Sequence, residues 1–148
     1  MRILCLGNEL LGDDAAGVVV AEQLRHLLPA DFDVDTTNDS GLDLLDHVVD
    51  TNALVVVDAV QTGASPGTVH LLDEDDLPSV CGASPHYVGL NEALRVGRAL
   101  GLSVPAKIVI LAIEVGDTLS FGAAMLPAVR AATPVVAEMI LENMPQWS

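Results

Sequence analysis

Leu6-Gly7-Asn8-Glu9-Leu10-Leu11-Gly12-Asp13-Asp14-Ala15-Ala16-Gly17 is the stretch on which the fold turns. The apolar run Ile3 to Leu6 enters it, and the apolar-periodic run Val18 to Leu28 leaves it. Strand, glycine-bearing loop and helix, in that order, make the opening unit of an α/β fold. In such folds functional groups collect just past the carboxyl ends of the strands, so this loop is expected on the working edge. Its carboxylates, Asp13 and Asp14, stand where a helix wants an N-cap and first-turn acids, and they equally suit a metal ion.

Downstream the same alternation continues. The first helix, from about Ala15 to Leu28, ends before Pro29, and Asp31 to Thr36 alternates as a short second strand. After a turn at Asn38-Asp39-Ser40-Gly41, Leu42, Leu44, Leu45, Val48 and Val49 have helical spacing. Ala53 to Val57 is a continuous apolar run of the kind a buried parallel strand needs, and it ends on Asp58. Ser65-Pro66-Gly67 turns into a probable edge strand, Thr68 to Leu72, followed by the acidic run Asp73 to Asp76, read as a solvated loop or helix start. A loop at Gly82 to Pro85 leads to a helix from Gly89 to Leu100. A second apolar strand, Ala106 to Ile113, ends on Glu114. Gly116 to Gly122 reads as loop, and Pro127 opens a last helix that runs toward Asn143, with Pro134 placed to kink it. The pattern predicts one α/β domain spanning residues 1–148, with a mostly parallel sheet covered by helices on both faces.

Composition narrows the function. A chain of 148 residues buries roughly 68–70% of its unfolded surface. With 51% hydrophobic but only 3% aromatic residues, aliphatic side chains must build that core. The net charge of -15, from 6 Lys+Arg against 21 Asp+Glu, repels phosphate backbones, which excludes nucleic acid and anionic membranes as partners and favours divalent cations. Cys5 falls in the first strand and reads as a buried thiol; with Cys81 it gives no disulfide framework. The short apolar N-terminus is no signal peptide and no run approaches a membrane span, so a soluble, cytoplasmic protein is expected.

Three residues stand out as donors. Asp14 follows the first strand, Asp58 closes the central one, and His86 lies in the loop before a later helix. Two carboxylates and an imidazole make an open site for a borderline divalent ion, provided the His86 loop folds over the sheet edge. Blander readings compete: capping for Asp13 and Asp14, and an exposed loop histidine for His86. Asp58 is harder to set aside, because a carboxylate after Leu54-Val55-Val56-Val57 is costly unless paired, coordinated or wet. His26, His47 and His70 read as structural or solvent-facing, and Glu114 as a supporting group or the partner of a helix or loop. Neither cysteine carries a catalytic signature, and the serine-nucleophile, zinc-helix and phosphate-loop motifs are missing.

Gly7 to Gly17, Val57-Asp58-Ala59-Val60, Pro66-Gly67-Thr68 and Ser84-Pro85-His86-Tyr87-Val88-Gly89-Leu90 occur in an order that resembles the hydrogenase maturation endopeptidases, with a looser echo in Ile113-Glu114 and the last helix. These proteases trim the large subunit of nickel-iron hydrogenases. The resemblance implies a single α/β domain with a twisted, mostly parallel sheet of about five strands, and removal of a C-terminal extension from the large-subunit precursor once nickel is inserted. It also implies that Asp14, Asp58 and His86 contact the metal and that nickel arrives with the substrate, zinc or cadmium being possible substitutes. Two departures stand out: Cys5 replaces a glycine common in the first motif, and Asn38-Asp39-Ser40-Gly41 replaces a glycine-threonine motif linked to recognition. Two rivals to an endopeptidase remain at this level, a checkpoint chaperone that grips the nickel-loaded subunit without cutting it and a nucleotide-binding α/β enzyme.

Overall fold

The apolar runs become the inner strands of one sheet. The computed structural model describes residues 1–8, 10, 12–116 and 124–148. Glu9 and Leu11 of the opening motif, and most of the loop expected from Gly116 to Gly122, lie outside the described residues. Strands β1 (Arg2–Leu6), β2 (Val34–Thr37), β3 (Ala53–Val60), β4 (Val69–Asp73) and β5 (Lys107–Glu114) are arranged in the order β2-β1-β3-β5-β4. Every neighbouring pair is parallel except β4 with β5. All eight residues of β3 are buried, and so are the last seven of β5. Both strands are covered on two faces, hence their unbroken apolar sequences.

Helices α1 (Ala16–Leu27) and α5 (Pro127–Trp147) cover one face, where Ile3, Val55, Val57 and Leu111 meet Val20, Leu24, Val136 and Ile140. On the other face α2 (Leu45–Val48), α3 (Leu77–Val80) and α4 (Tyr87–Ala99) bring Val48, Leu77, Leu90 and Leu94 onto Leu4, Leu6, Val56 and Ile110. Each such aliphatic side chain contributes about 1.5–3 kcal/mol by leaving water. The expected architecture, a mostly parallel five-stranded α/β sheet with helices on both faces, is therefore the one found. No helix of the described residues is long and apolar enough to cross a membrane.

Boundaries differ in instructive ways. The second strand is Val34–Thr37 rather than Asp31 to Thr36. β3 does not stop where its apolar run stops. It continues through Val60 in register with β5, pairing Asp58 with Ala112, so Asp58 lies inside the strand rather than closing it. α4 starts at Tyr87, directly after His86 and two residues ahead of Gly89. α5 runs on through Pro134 and past Asn143 to Trp147. The acidic run at Asp73 opens a helical turn, with Asp73 and Asp76 each accepting from the other's backbone N–H.

Candidate active site

From β1 the chain steps outward to β2 on one side; from β3 it builds toward β5 and β4 on the other. The direction of winding reverses between β1 and β3, and in open α/β sheets ligands bind in the crevice at such a reversal. Asp14 lies in the helical turn Gly12–Ala15 just past β1, and Asp58 near the end of β3. Two glycines draw the loop onto the strand. A Cβ on Gly7, which has φ +150°, would strike the carbonyl oxygen of Asp14, and one on Gly17 would strike that of Leu6. The glycines of the opening motif thus seat Asp14 against the end of β1.

Asp14 accepts from the backbone N–H of Asn8 through Oδ2 at 3.0 Å, which ties it to the chain leaving β1. Asp13 does something else. It is 1% exposed, and its two oxygens accept from the N–H groups of Leu126 at 2.8 Å and Gly116 at 2.9 Å. The residue at the N-cap of α1 is Ala15, with no side-chain cap bond. The capping reading of these two carboxylates is thereby corrected. Asp13 ties the β5–α5 connection to the loop after β1, and Asp14 faces its own loop.

Asp58 is fully buried on the face covered by α4. Its Oδ2 accepts the hydroxyl of Ser84, and its Oδ1 accepts the N–H of Ala59 at 2.8 Å. Ser84 in turn accepts from the N–H of His86 at 3.2 Å, so one hydroxyl couples the strand carboxylate to the histidine loop. His86 is 3% exposed, which corrects the reading of an exposed loop histidine. Its Nδ1 lies 3.0 Å from the carbonyl oxygen of Asp39. A carbonyl only accepts, so Nδ1 carries the proton and Nε2 is the basic nitrogen.

The electrostatics follow from this enclosure. Burial pushes the Asp58 carboxyl well above the usual carboxylate range; its bonds to Ser84 and Ala59 oppose that, and the neighbouring charge of Asp14 adds to it. Burial also raises Asp14, against the Asn8 N–H and the charge of His86. Asp14 is thus coupled electrostatically to each of the other two. As the side chains stand, no group of three His, Cys, Asp or Glu residues among those described is drawn together closely enough to hold an ion. Asp58 is turned to Ser84 and His86 is tethered by Nδ1. By its chemistry, a set of two carboxylates and an imidazole would suit a borderline divalent ion only if these side chains turned toward one another.

Other residues fall into supporting places. Burial pushes the Cys5 thiol up to about 12, so it offers no thiolate at neutral pH. Glu114, at the end of β5, accepts from the N–H and hydroxyl of Thr62 and lies 3.0 Å from Nε2 of His70, the partner role that sequence had left open. The Tyr87 hydroxyl is buried with no hydrogen-bond partner among the described residues, and burial together with the charge of Asp58 raises its pKa well above the ordinary value. Sequence reasoning missed Ser84 and Asp39 as parts of the site. Only Ser84 left a signal, two residues before His86.

The hydrogenase maturation protease family model matches residues 29–143. The hydrogenase 2 maturation protease of Escherichia coli is 30% identical over 148 residues, spanning 95% of this chain and 89% of that protein. The hydrogenase expression/formation protein HupD of Thiocapsa roseopersicina is 30% identical across 98% of this chain and 67% of its own length. Among solved structures, the hydrogenase maturating endopeptidase HybD of Escherichia coli superposes with a TM-score of 0.80 at 29% identity, covering 99% of this chain and 93% of that one. HybD of Thermococcus kodakarensis, at 24% identity and a TM-score of 0.72, over 96% of this chain and 98% of its own, shares the fold. With a family match over most of its length and 30% identity to a named maturation protease across 95% of its residues, this chain belongs to the hydrogenase maturation protease family.

Proposed function

We propose that this protein is an endopeptidase that removes the C-terminal extension of a nickel-loaded hydrogenase large subunit, and that Asp14, Asp58 and His86 receive the nickel the substrate carries. The observation that carries the reading is the place of its motif carboxylates: Asp14 follows β1 and Asp58 lies in β3, the two strands between which the direction of winding reverses, in a chain from a family of proteases. Two carboxylates and an imidazole, already committed to internal hydrogen bonds, favour reading a metal in passing over storing one. Zinc or cadmium would serve as substitutes for the same donor set.

Cleavage requires a water activated against the scissile carbonyl. The substrate's nickel supplies Lewis-acid character next to that carbonyl. On the protein side, the carboxyls of Asp14 and Asp58 both hold a proton more tightly than an ordinary aspartate. A carboxylate oxygen of theirs left off the metal is suited to take a proton from the water and pass it to the leaving amine. Membership in a protease family sets aside the checkpoint chaperone that only binds. The test uses wild-type enzyme without added metal on nickel-loaded and nickel-free precursor. Shortening of the loaded precursor alone is expected; equal shortening of both would overturn the metal-sensing part and leave the protease standing.

A further inference from the structure

Beside the site lies a hydrogen-bonded chain that the proposed reaction does not use. His47, in α2, is gripped at both ring nitrogens. Nδ1 lies 2.7 Å from Oδ2 of Asp35 on β2, and Nε2 lies 2.8 Å from Oδ2 of Asp39 in the loop that follows. Ionised carboxylates only accept, so both nitrogens carry protons and the ring is an imidazolium. Asp39 is then held at three points. Its carboxylate meets His47, its N–H donates to Oγ1 of Thr37 at 3.0 Å, and its carbonyl accepts from Nδ1 of His86.

We propose that His47, clamped between Asp35 and Asp39, is a positioning residue: it keeps the Asp39 carbonyl against Nδ1 of His86 and so keeps Nε2 of His86 as the nitrogen offered to the site. The inference rests on the role given to His86 above, but its geometry stands apart from any metal. A part-buried histidine in α2 thereby sets the tautomer of another in the loop before α4. Without that clamp the loop carbonyl is free to leave, and a neutral imidazole in water prefers neither form strongly.

The charges around His47 support a protonated ring. Burial lowers its affinity for a proton, but the hydrogen bonds and charges of Asp35 and Asp39 raise it further, and the net shift is upward. The His47 hydrogen bonds lead the causes that hold the exposed Asp39 carboxyl below the usual range. From β1, the Arg2 guanidinium donates to the backbone carbonyls of His47 and Val49 at 2.9 and 3.0 Å and pairs with Asp33, which anchors α2 from behind. The sign is then fixed. The clamp is complete below the ordinary histidine pKa and above that of aspartate, and it weakens as pH rises through the elevated value of His47.

The test compares wild type with His47→Ala and Asp39→Asn, in protein without added metal, by nitrogen-15 NMR of the His86 ring at a pH where it is neutral. Wild type should show the Nδ1–H form; both variants should populate the Nε2–H form to a comparable extent. Cleavage of nickel-loaded precursor should fall on the order of tenfold in kcat with KM little changed, as outer-shell partners of ligating histidines typically cost. His47→Gln, which still donates to one carboxylate, should recover part of the loss. An unchanged His86 tautomer in a folded His47→Ala or Asp39→Asn protein overturns the inference. If His86→Ala cut the precursor normally, the role of His86 in the reaction would fall instead, and the NMR result would still decide the positioning claim.

Discussion

At position 58 a carboxylate is enclosed within a strand, and the cost of that enclosure was visible in the run of valines before it. What sequence could not show was the relief, because Ser84 lies 26 residues away and reaches Asp58 only through the fold. Asp13 is the sharper case, since its two donors are 103 and 113 residues distant and nothing local distinguishes it from a helix cap. Asp58→Asn keeps the shape and an acceptor for Ala59 while removing a buried charge. The expected protein is folded, with a melting temperature equal to or above wild type, since an enclosed charge opposes folding. Its cleavage of nickel-loaded precursor should drop by on the order of 10²–10⁴-fold, the usual range for loss of a proton-transfer group. His86→Ala should behave alike in the gel assay, and a variant of either kind that still cuts at the wild-type rate would remove that residue from the site.

The strands were legible as elements because burial on two faces writes itself into composition. Their ends were not. The β3–β5 ladder runs on to the pair Val60 and Glu114 whatever side chain Asp58 carries, because backbone pairing is indifferent to polarity. Likewise α4 begins at Tyr87, since the Ser84-Pro85-His86 loop is held from inside by Asp58 and Asp39 rather than by a local stop signal. Glu114 shows how one element secures another: it ties the chain leaving β3 to β5 and β4 through Thr62 and His70. Burial raises its carboxyl, but the Thr62 and His70 bonds outweigh that and the net shift is downward. A lowered carboxylate stabilises the fold above the unfolded value and loses that contribution as pH falls through the folded one. Glu114→Gln should therefore be less stable than wild type near neutrality, by about 1–3 kcal/mol. The gap should narrow as urea midpoints are measured from pH 6 down to pH 3; a constant gap would show that the bonds, not the charge, are what matters.

For the whole molecule, 21 acidic against 6 basic side chains leave a surface that repels itself. Its arginine ion pairs with Glu74 and Asp33 are at least partly exposed and contribute little. Screening should thus help more than it harms. Raising NaCl from low levels to 0.5 M is expected to stabilise the fold by about 1 kcal/mol, ~2–4 °C in Tm. A fall in Tm would mean that attractive pairs dominate instead. The sheet class was legible from alternation of strands and helices, whereas the order of strands was not, because the pattern of apolar residues does not say which neighbour a strand will choose. That order has a consequence in time. β4 is made before β5 but lies beyond it, so residues 69–73 have no strand to join until 107–114 emerge. At about 5–20 residues per second, the ribosome leaves that gap open for some seconds. A fragment ending at residue 104 should show no cooperative thermal transition by circular dichroism, while the full chain melts in one step. The chain is consequently incomplete at birth: β3 and β4 stand apart until the fifth strand has settled between its older neighbours.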